Sequence, residues 1–212
     1  MIRFLEEIRT SENNLKTSQK IMNTLGIFIL GIVLGIFSKY LDNLSLYDDI
    51  WWHRILEIID LRNVLSLFGV WILIAVCISV FSKTPVRAGI NVFLFFLGMN
   101  VSYHIYTIVF AGFNPANYMM IWYGVTFISP FMAFICWYAK GNGIISLMID
   151  IDIIAVMILC SFSIGIWYFY FTNIINSIFF IITLIVLYEN PKKTLLSLIG
   201  GIILAYLIRF FV

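Results

Sequence analysis

Residues Ile21–Phe37 read IMNTLGIFILGIVLGIF and hold no charged side chain. A bilayer core about 30 Å thick is crossed by about 20 apolar residues in a helix, so this stretch predicts a transmembrane span. The whole chain agrees: of 212 residues, 62% are hydrophobic and 11% are charged, against roughly 45–50% and 25% in soluble domains. A soluble core of this size could not bury so much apolar surface. The sequence therefore indicates an integral membrane protein surrounded by a lipid bilayer.

The polar residues exclude other classes of protein. Lys and Arg total 13 and Asp and Glu total 11, so the net charge is only +2, and no basic run is present. Nucleic-acid binding is therefore not expected. Cys77, Cys136 and Cys160 each lie inside an apolar run without CxxC or Cys/His spacing, which predicts neither a disulfide framework nor a zinc site. We expect no cofactor.

Further apolar runs follow the first span. They cover about Val64–Phe81, Ile90–Phe110, Tyr118–Tyr138, Ile151–Phe171, Ile174–Tyr188 and Thr194–Ile208. Pro191, flanked by charged residues, separates the last two firmly, because proline cannot continue a helix and charges avoid lipid. The sequence thus predicts an all-α integral membrane protein with a cytoplasmic N-terminal segment, residues 1–20. Residues 21–212 are expected to form one polytopic domain, a bundle of about seven transmembrane helices.

The positions of Lys and Arg predict the orientation of these spans, because cytoplasmic loops carry most basic residues. With the N-terminus inside, nine of the 13 basic residues lie in cytoplasmic segments and four lie in extracellular ones. The nine are Arg3, Arg9, Lys16, Lys20, Lys83, Arg87, Lys140, Lys192 and Lys193, and the four are Lys39, Arg54, Arg62 and Arg209. We predict a multi-pass protein of the cell membrane with a cytoplasmic N-terminus and an extracellular C-terminus.

The long connection between the first two spans contains an amphipathic segment. Over about residues 45–62, apolar side chains recur near helical spacing and charged side chains occupy the opposite face. Ser45 suits a helix N-cap, and the adjacent Trp51 and Trp52 suit the membrane interface. We predict one interfacial helix here, on the outer side of the membrane.

On the same predicted helix, Asp49, His53 and Glu57 recur at every fourth position and share a face. Carboxylate and imidazole groups at this spacing can hold a metal ion, but the pattern is not HExxH. A solvated, charged helix face explains the same spacing. We therefore predict no metal site.

Gly31 and Gly35 form a GxxxG pair in the first span. Small residues at this spacing let two helix backbones approach closely in lipid. One interpretation is packing against another helix of the same chain. The other is docking against a partner subunit or self-association with a second copy.

The third predicted span is the most polar at mid-depth. Asn100, Tyr103, His104 and Thr107 follow i, i+3, i+4, i+7 spacing and share one helix face. Because polar groups facing hydrocarbon are costly, this face should point into the bundle or a wet cavity. One interpretation is a network of interhelical hydrogen bonds, worth about 0.6 kcal/mol each. The other is a ligand site in which His104 is a contact or a proton carrier.

Aromatic residues gather near the outer boundary, among them Trp122 in the fourth span. An interfacial belt explains this enrichment, but an aromatic wall above a polar floor is also typical of small-molecule sites. The predicted ligand-binding residues are Asn100, Tyr103, His104, Thr107 and Trp122. Ser129-Pro130 in the fourth span further predicts a kink, with a carbonyl freed about one turn earlier.

Asp150 has two possible placements. If the fifth helix began at Ile144, Asp150 would lie about 9 Å into the bilayer and would need a cation such as Lys140. Such a buried carboxylate would be a candidate coupling or proton-relay residue. If Ile144–Ile149 instead lay along the inner interface, the span would begin near Asp150 at lower cost. We favour this second placement, because it does not bury the carboxylate in the bilayer.

Three functions fit these features. The first is a non-enzymatic membrane protein that binds, and by extension translocates, a small molecule through a site opening to the outer side. The second is an accessory or immunity-type protein that acts through a partner subunit. The third is an integral-membrane enzyme acting on lipid or peptide, which the absence of GxSxG and HExxH motifs disfavours.

Overall fold

The structure, a computed structural model, describes residues 2–11, 15–44, 51–165 and 167–211. Within these ranges the chain forms helices and one short β-hairpin. The helices are α1 (Ile2–Ile8), α2 (Thr17–Asn43), α3 (Trp51–Ile59), α4 (Leu61–Ser66), α5 (Phe68–Phe81), α6 (Pro85–Tyr106), α7 (Ala116–Cys136), α8 (Gly143–Ser161), α9 (Ile174–Leu187) and α10 (Pro191–Phe211). A π-helical turn, Thr107–Ala111, follows α6, and a 3-10 turn, Trp137–Lys140, follows α7. The strands are β1 (Phe162–Gly165) and β2 (Tyr168–Phe171).

Among the described residues, five helical segments are long and apolar enough to cross a membrane. They are Thr17–Asn43, Pro85–Ala111, Ala116–Lys140, Gly143–Ser161 and Pro191–Phe211. Helices α5 and α9 are also apolar but have 14 residues each, which gives them about 21 Å of length against a bilayer core of about 30 Å. The chain is a polytopic helical membrane protein.

Helices α2 and α6 pack closely because glycines on both remove side-chain bulk from their interface. Gly31 lies against the carbonyl of Phe95, and Gly35 lies against the carbonyl of Met99. From the other side, Gly98 lies against the backbone of Phe28. A Cβ added at any of these glycines would clash with backbone atoms. The GxxxG pair therefore faces another helix of the same chain, as expected of small residues in lipid.

Polar contacts gather the helix ends into two groups. At one end, called the basic end, Arg9 donates to the carbonyl of Val80 (3.0 Å) and Lys193 donates to that of Ala139 (2.7 Å). At the opposite end, called the hairpin end, Arg62 donates to the carbonyl of Leu44 (2.7 Å) and Arg209 donates to that of Ile164 (3.2 Å). Helices α2, α6, α8 and α10 therefore run from the basic end to the hairpin end, and α5, α7 and α9 run in the opposite direction.

The predicted fifth span, Ile151–Phe171, is wrong in position. Helix α8 begins at Gly143 and ends at Ser161, and residues 162–171 form an antiparallel hairpin in which Phe162 pairs with Phe171. Phe162 and Ile164 are buried whereas Ser163 between them is exposed, which is the period of a strand. A short apolar run rich in aromatic residues does not distinguish helix from strand by composition. The protein is therefore mainly, but not entirely, helical.

The predicted interfacial helix, about residues 45–62, is also interrupted. Its first part, with the expected cap Ser45 and with Asp49, lies outside the described residues. The rest forms α3 and α4, which are separated by Asp60 in the left-handed conformation (φ 52°). Trp51 is 74% exposed, as an interfacial side chain would be, whereas His53 is buried with its ring edge-on to Trp52.

Candidate functional site

The predicted ligand-binding residues lie at the hairpin end, where hydrogen bonds and ring contacts fix their side chains. Asn100 is buried, and its Nδ2 donates to Oγ1 of Thr126 (2.7 Å) and to the carbonyl of Trp122 (3.3 Å). The Trp122 ring stacks on Phe68 with centroids 4.7 Å apart. Thr107 is fully buried and donates to the carbonyl of Tyr103 (2.8 Å). These contacts tie α5, α6 and α7 together.

Tyr103 joins α6 to the end of α2. Its hydroxyl donates to Oδ2 of Asp42 at 2.9 Å, and Nζ of Lys39 lies 3.7 Å from the same oxygen. The Lys39 ammonium also lies 5.3 Å from the centre of the Tyr103 ring, within cation–π range. The polar edge of Tyr103 therefore belongs to an interhelical cluster of charged groups.

Both ring nitrogens of His104 have partners. Nδ1 lies 2.9 Å from the hydroxyl of Tyr123, and Nε2 lies 2.9 Å from Oδ1 of Asn114. Because an amide oxygen only accepts, Nε2 donates to Asn114, and in the neutral ring Nδ1 accepts from Tyr123. His104 thus links α6 to α7 and to the connection before α7.

The structure brings only part of the predicted site around one cavity. Asn100, Tyr103 and Trp122 line it, whereas His104 and Thr107 do not. Its volume, measured as the space open to the centre of a water molecule, is ≈ 20 Å³. A cavity of this size holds about one water molecule. A larger ligand would have to displace the hydrogen-bonded side chains.

A cluster of charged groups lies at the basic end. The spacing of these residues in the sequence did not predict it. Nζ of Lys193 lies 3.0 Å from Oδ2 of Asp150 and 2.8 Å from Oε2 of Glu189. The same ammonium donates to Oγ of Ser146 (2.6 Å) and to the carbonyls of Ala139 (2.7 Å) and Gly141 (3.2 Å). Several oxygens from three segments therefore surround one cation.

The favoured placement of Asp150 is wrong. Residues 144–149 belong to α8, so Asp150 lies within the helix and is 1% exposed. Its cation is Lys193 at the start of α10, not Lys140, the nearest cation in sequence. Pairing offsets the cost of burying the carboxylate. Only contacts between helices distant in sequence could identify this partner.

The N-terminal segment covers part of the same end. Ile8 is buried in the core, and its carbonyl accepts from the backbone N–H of Asn142 at 2.7 Å. The Arg9 guanidinium lies 4.2 Å from the centre of the Trp137 ring and donates to the Trp137 carbonyl. Ile8 and Arg9 therefore anchor the end of α1 on the bundle.

A second cavity is a groove between α5, α6, α7 and α8, which we call the lateral groove. Its volume on the same measure is ≈ 320 Å³, and pockets for small molecules have about 300–1,000 Å³. The lining residues are Ile72, Ala75, Val76, Ser79, Val92, Phe96, Val125, Ile128, Ser129, Met132, Ala133, Cys136, Asp152, Ile153 and Val156. Ile128 and Met132 on its rim are 60% and 62% exposed, so the groove opens sideways from the bundle.

The path of α7 leaves this groove open. Gly89 of α6 lies against the carbonyl of Pro130, so α7 packs along α6, and it makes few contacts with α8. Pro130 has no N–H, so the Thr126 carbonyl loses its helical donor, and the hydroxyl of Ser129 donates to it instead (2.8 Å). The sequence predicted that Pro130 would free a carbonyl about one turn earlier. That carbonyl is present, and it accepts the hydrogen bond from Ser129.

Asp152 supplies the only carboxylate among the groove's lining residues, and spacing did not single it out. It lies at the middle of the 19-residue helix α8, with an exposed side chain. In the part of the chain that the structure describes, this carboxylate has no hydrogen-bond or ion-pair partner. An ionisable residue in a membrane span is rare and marks functional sites by default.

Comparison of the chain with protein-family models, curated proteins and solved structures finds no match.

Proposed function

We propose that this protein binds a small, largely apolar molecule within the membrane, in the lateral groove. The observation that carries the proposal is the size of the groove, ≈ 320 Å³, together with its apolar walls and sideways opening. A site open to hydrocarbon admits a molecule that partitions into the lipid before it binds. Apolar walls with a few polar groups are typical of small-molecule sites.

This proposal moves the site away from the hairpin end. Binding at Asn100, Tyr103, His104, Thr107 and Trp122 stays a prediction. The cavity there holds about one water molecule, and the polar groups already bond to one another. A ligand at the hairpin end would have to replace those hydrogen bonds, whereas a ligand in the lateral groove would not.

The proposal includes the membrane topology. If α5 and α9 also cross the bilayer, the chain has seven crossings, with the basic end in the cytoplasm and the C-terminus outside. The shared location of Arg9, Lys140 and Lys193 supports this orientation, because basic residues favour the cytoplasmic side. The exposed Trp51 supports an interfacial position for α3 on the opposite side.

The other functions have less support. A partner subunit or second copy could not dock through Gly31 and Gly35 while both glycines face α6. An enzyme using two aspartates is disfavoured because Asp150 is buried against Lys193 whereas Asp152 faces the lateral groove. Translocation would require the ion pairs and hydrogen bonds of Lys193 to break, so that a path opens at the basic end. Binding is therefore the function we propose.

Photolabelling in lipid nanodiscs tests the proposal. The probes are an arylalkyl amine carrying a diazirine and its N-acetylated, neutral counterpart, and peptide mass spectrometry maps the labelled residues. We expect saturable labelling of peptides from α5 to α8. Val156→Trp should fill the groove and abolish this labelling, whereas Ile144→Trp, at a 73% exposed position of the same helix, should not. Labelling that rises linearly with both probes and ignores Val156→Trp would refute a groove site.

A further inference from the structure

We infer that the molecule in the lateral groove carries a positive charge, which pairs with Asp152. This inference rests on the proposed function and names the chemical class of its ligand: a hydrophobic amine or quaternary ammonium. Its starting point is the contrast between the two aspartates of α8. Asp150 has Lys193 at 3.0 Å, whereas Asp152 has no partner within the described ranges.

The depth of Asp152 makes an unpaired carboxylate costly. From the first residue of α8 to Asp152 the helix rises about 14 Å, close to half of a bilayer core of about 30 Å. A charged aspartate at the centre of a span costs about 2.5–3.5 kcal/mol on insertion scales. Such a residue is stabilised by a cation, by water or by another polar group.

The walls of the groove favour a cation that comes with its own apolar body. No Lys, Arg or His is present among the lining residues, so nothing described there neutralises Asp152. The other lining residues are apolar apart from Ser79, Ser129 and Cys136. Both hydroxyls donate to backbone carbonyls of their own helices, Ser79 to Ala75 and Ser129 to Thr126.

Charge complementarity therefore selects the occupant. A neutral apolar molecule would fill the groove but leave the carboxylate unpaired, and a hydrated inorganic cation would leave the apolar walls in contact with water. A hydrophobic amine satisfies both requirements, because its ammonium pairs with Asp152 while its hydrocarbon part contacts the walls. An ion pair formed away from bulk water is also stronger than one at an exposed surface.

The same two photoprobes test this inference. In nanodiscs of phosphatidylcholine, which adds no net charge, we expect the amine to label the groove about tenfold more efficiently than its N-acetylated counterpart, since a charge-assisted hydrogen bond is worth that much. Asp152→Asn should remove this preference, and Asp152→Glu should retain most of it. Asp60→Asn, at the hairpin end, is the matched control and should change nothing.

The outcomes separate the inference from the proposed function. If amine and amide label the groove equally, and Asp152→Asn has no effect, the groove binds ligands but the inference about charge is wrong. If neither probe labels the groove saturably, the proposed function is wrong as well. If a photoreactive residue at Val156 crosslinks in cells to a protein helix that blocks the amine, the groove belongs to a partner and the inference is overturned.

Discussion

Nζ of Lys193 lies 3.0 Å from Oδ2 of Asp150, and this contact connects the start of α10 to the interior of α8. The two side chains are 13% and 2% exposed, so the pair is shielded from solvent. The second oxygen, Oδ1 of Asp150, is buried without a hydrogen-bond partner in the described part of the chain. Lys193 is therefore the main compensation for this carboxylate, and it determines how α10 packs against α8.

Removal of Lys193 should destabilise the fold. Lys193→Met leaves the Asp150 carboxylate buried without its cation, which costs about 3–5 kcal/mol when one partner of a buried pair is removed. We expect a lower midpoint of thermal unfolding in detergent, whereas Lys192→Met, at an exposed neighbouring position, should have little effect. Lys193→Met combined with Asp150→Leu should recover most of the loss. A double variant less stable than Lys193→Met alone would contradict the coupling.

Bulk at the α2–α6 contact should also destabilise the protein. Gly31→Leu or Gly35→Leu would place side-chain atoms against the backbone of α6, and overpacking of this kind costs about 1–3 kcal/mol. Gly26 lies on the same helix with nothing within 4 Å of an added Cβ, so Gly26→Leu is the matched control. Unfolding midpoints of the three variants provide the measurement. Equal midpoints for all three would mean that the close approach of α2 and α6 is not required.

The polar groups at the hairpin end should behave as a packing network. Asn100→Ala and Thr126→Val each break the 2.7 Å hydrogen bond between α6 and α7. In a double-mutant cycle, we expect a coupling of about 0.6–1.7 kcal/mol, the range of hydrogen bonds between membrane helices. Photolabelling of the lateral groove should persist in both variants.

The role of His104 needs a separate measurement. His104→Ala removes the contacts with Tyr123 and Asn114 and should lower the unfolding midpoint. The same variant should keep the saturable labelling of the lateral groove. If His104→Ala left the unfolding midpoint unchanged and abolished ligand retention, the ligand would bind at the hairpin end and not in the lateral groove.

Labelling with a membrane-impermeant maleimide should report the topology. In a variant with Cys77, Cys136 and Cys160 replaced by alanine, cysteines at Lys83 and Lys192 should react only after cell lysis. Cysteines at the exposed positions Asn117 and Phe211 should react in intact cells. Reaction at Phe211 only after lysis would exclude an odd number of crossings.

Several features of this fold could be predicted from local sequence because they depend on local chemistry. The apolar run Ile21–Phe37 predicts a span because its length matches the bilayer, and it lies within α2. Pro191 marks the break between the last two helices because proline suits the first turn of a helix and disrupts its interior. Gly31 and Gly35 predict a close helix–helix contact because they lack side chains.

The sequence by itself determined that this is a helical membrane protein, and it marked Asp150 and the polar face of the third span as costly in lipid. Only the tertiary structure decided which partners they have. Asp150 and Lys193 meet because α8 and α10 pack together, whereas Asp152 faces a groove because α7 packs along α6 and leaves one face of α8 uncovered. Residues on one helix alternate between such surroundings within two positions, because each residue turns the helix by about 100°. Pairing and exposure therefore depend on contacts between segments distant in sequence, which periodicity alone does not contain.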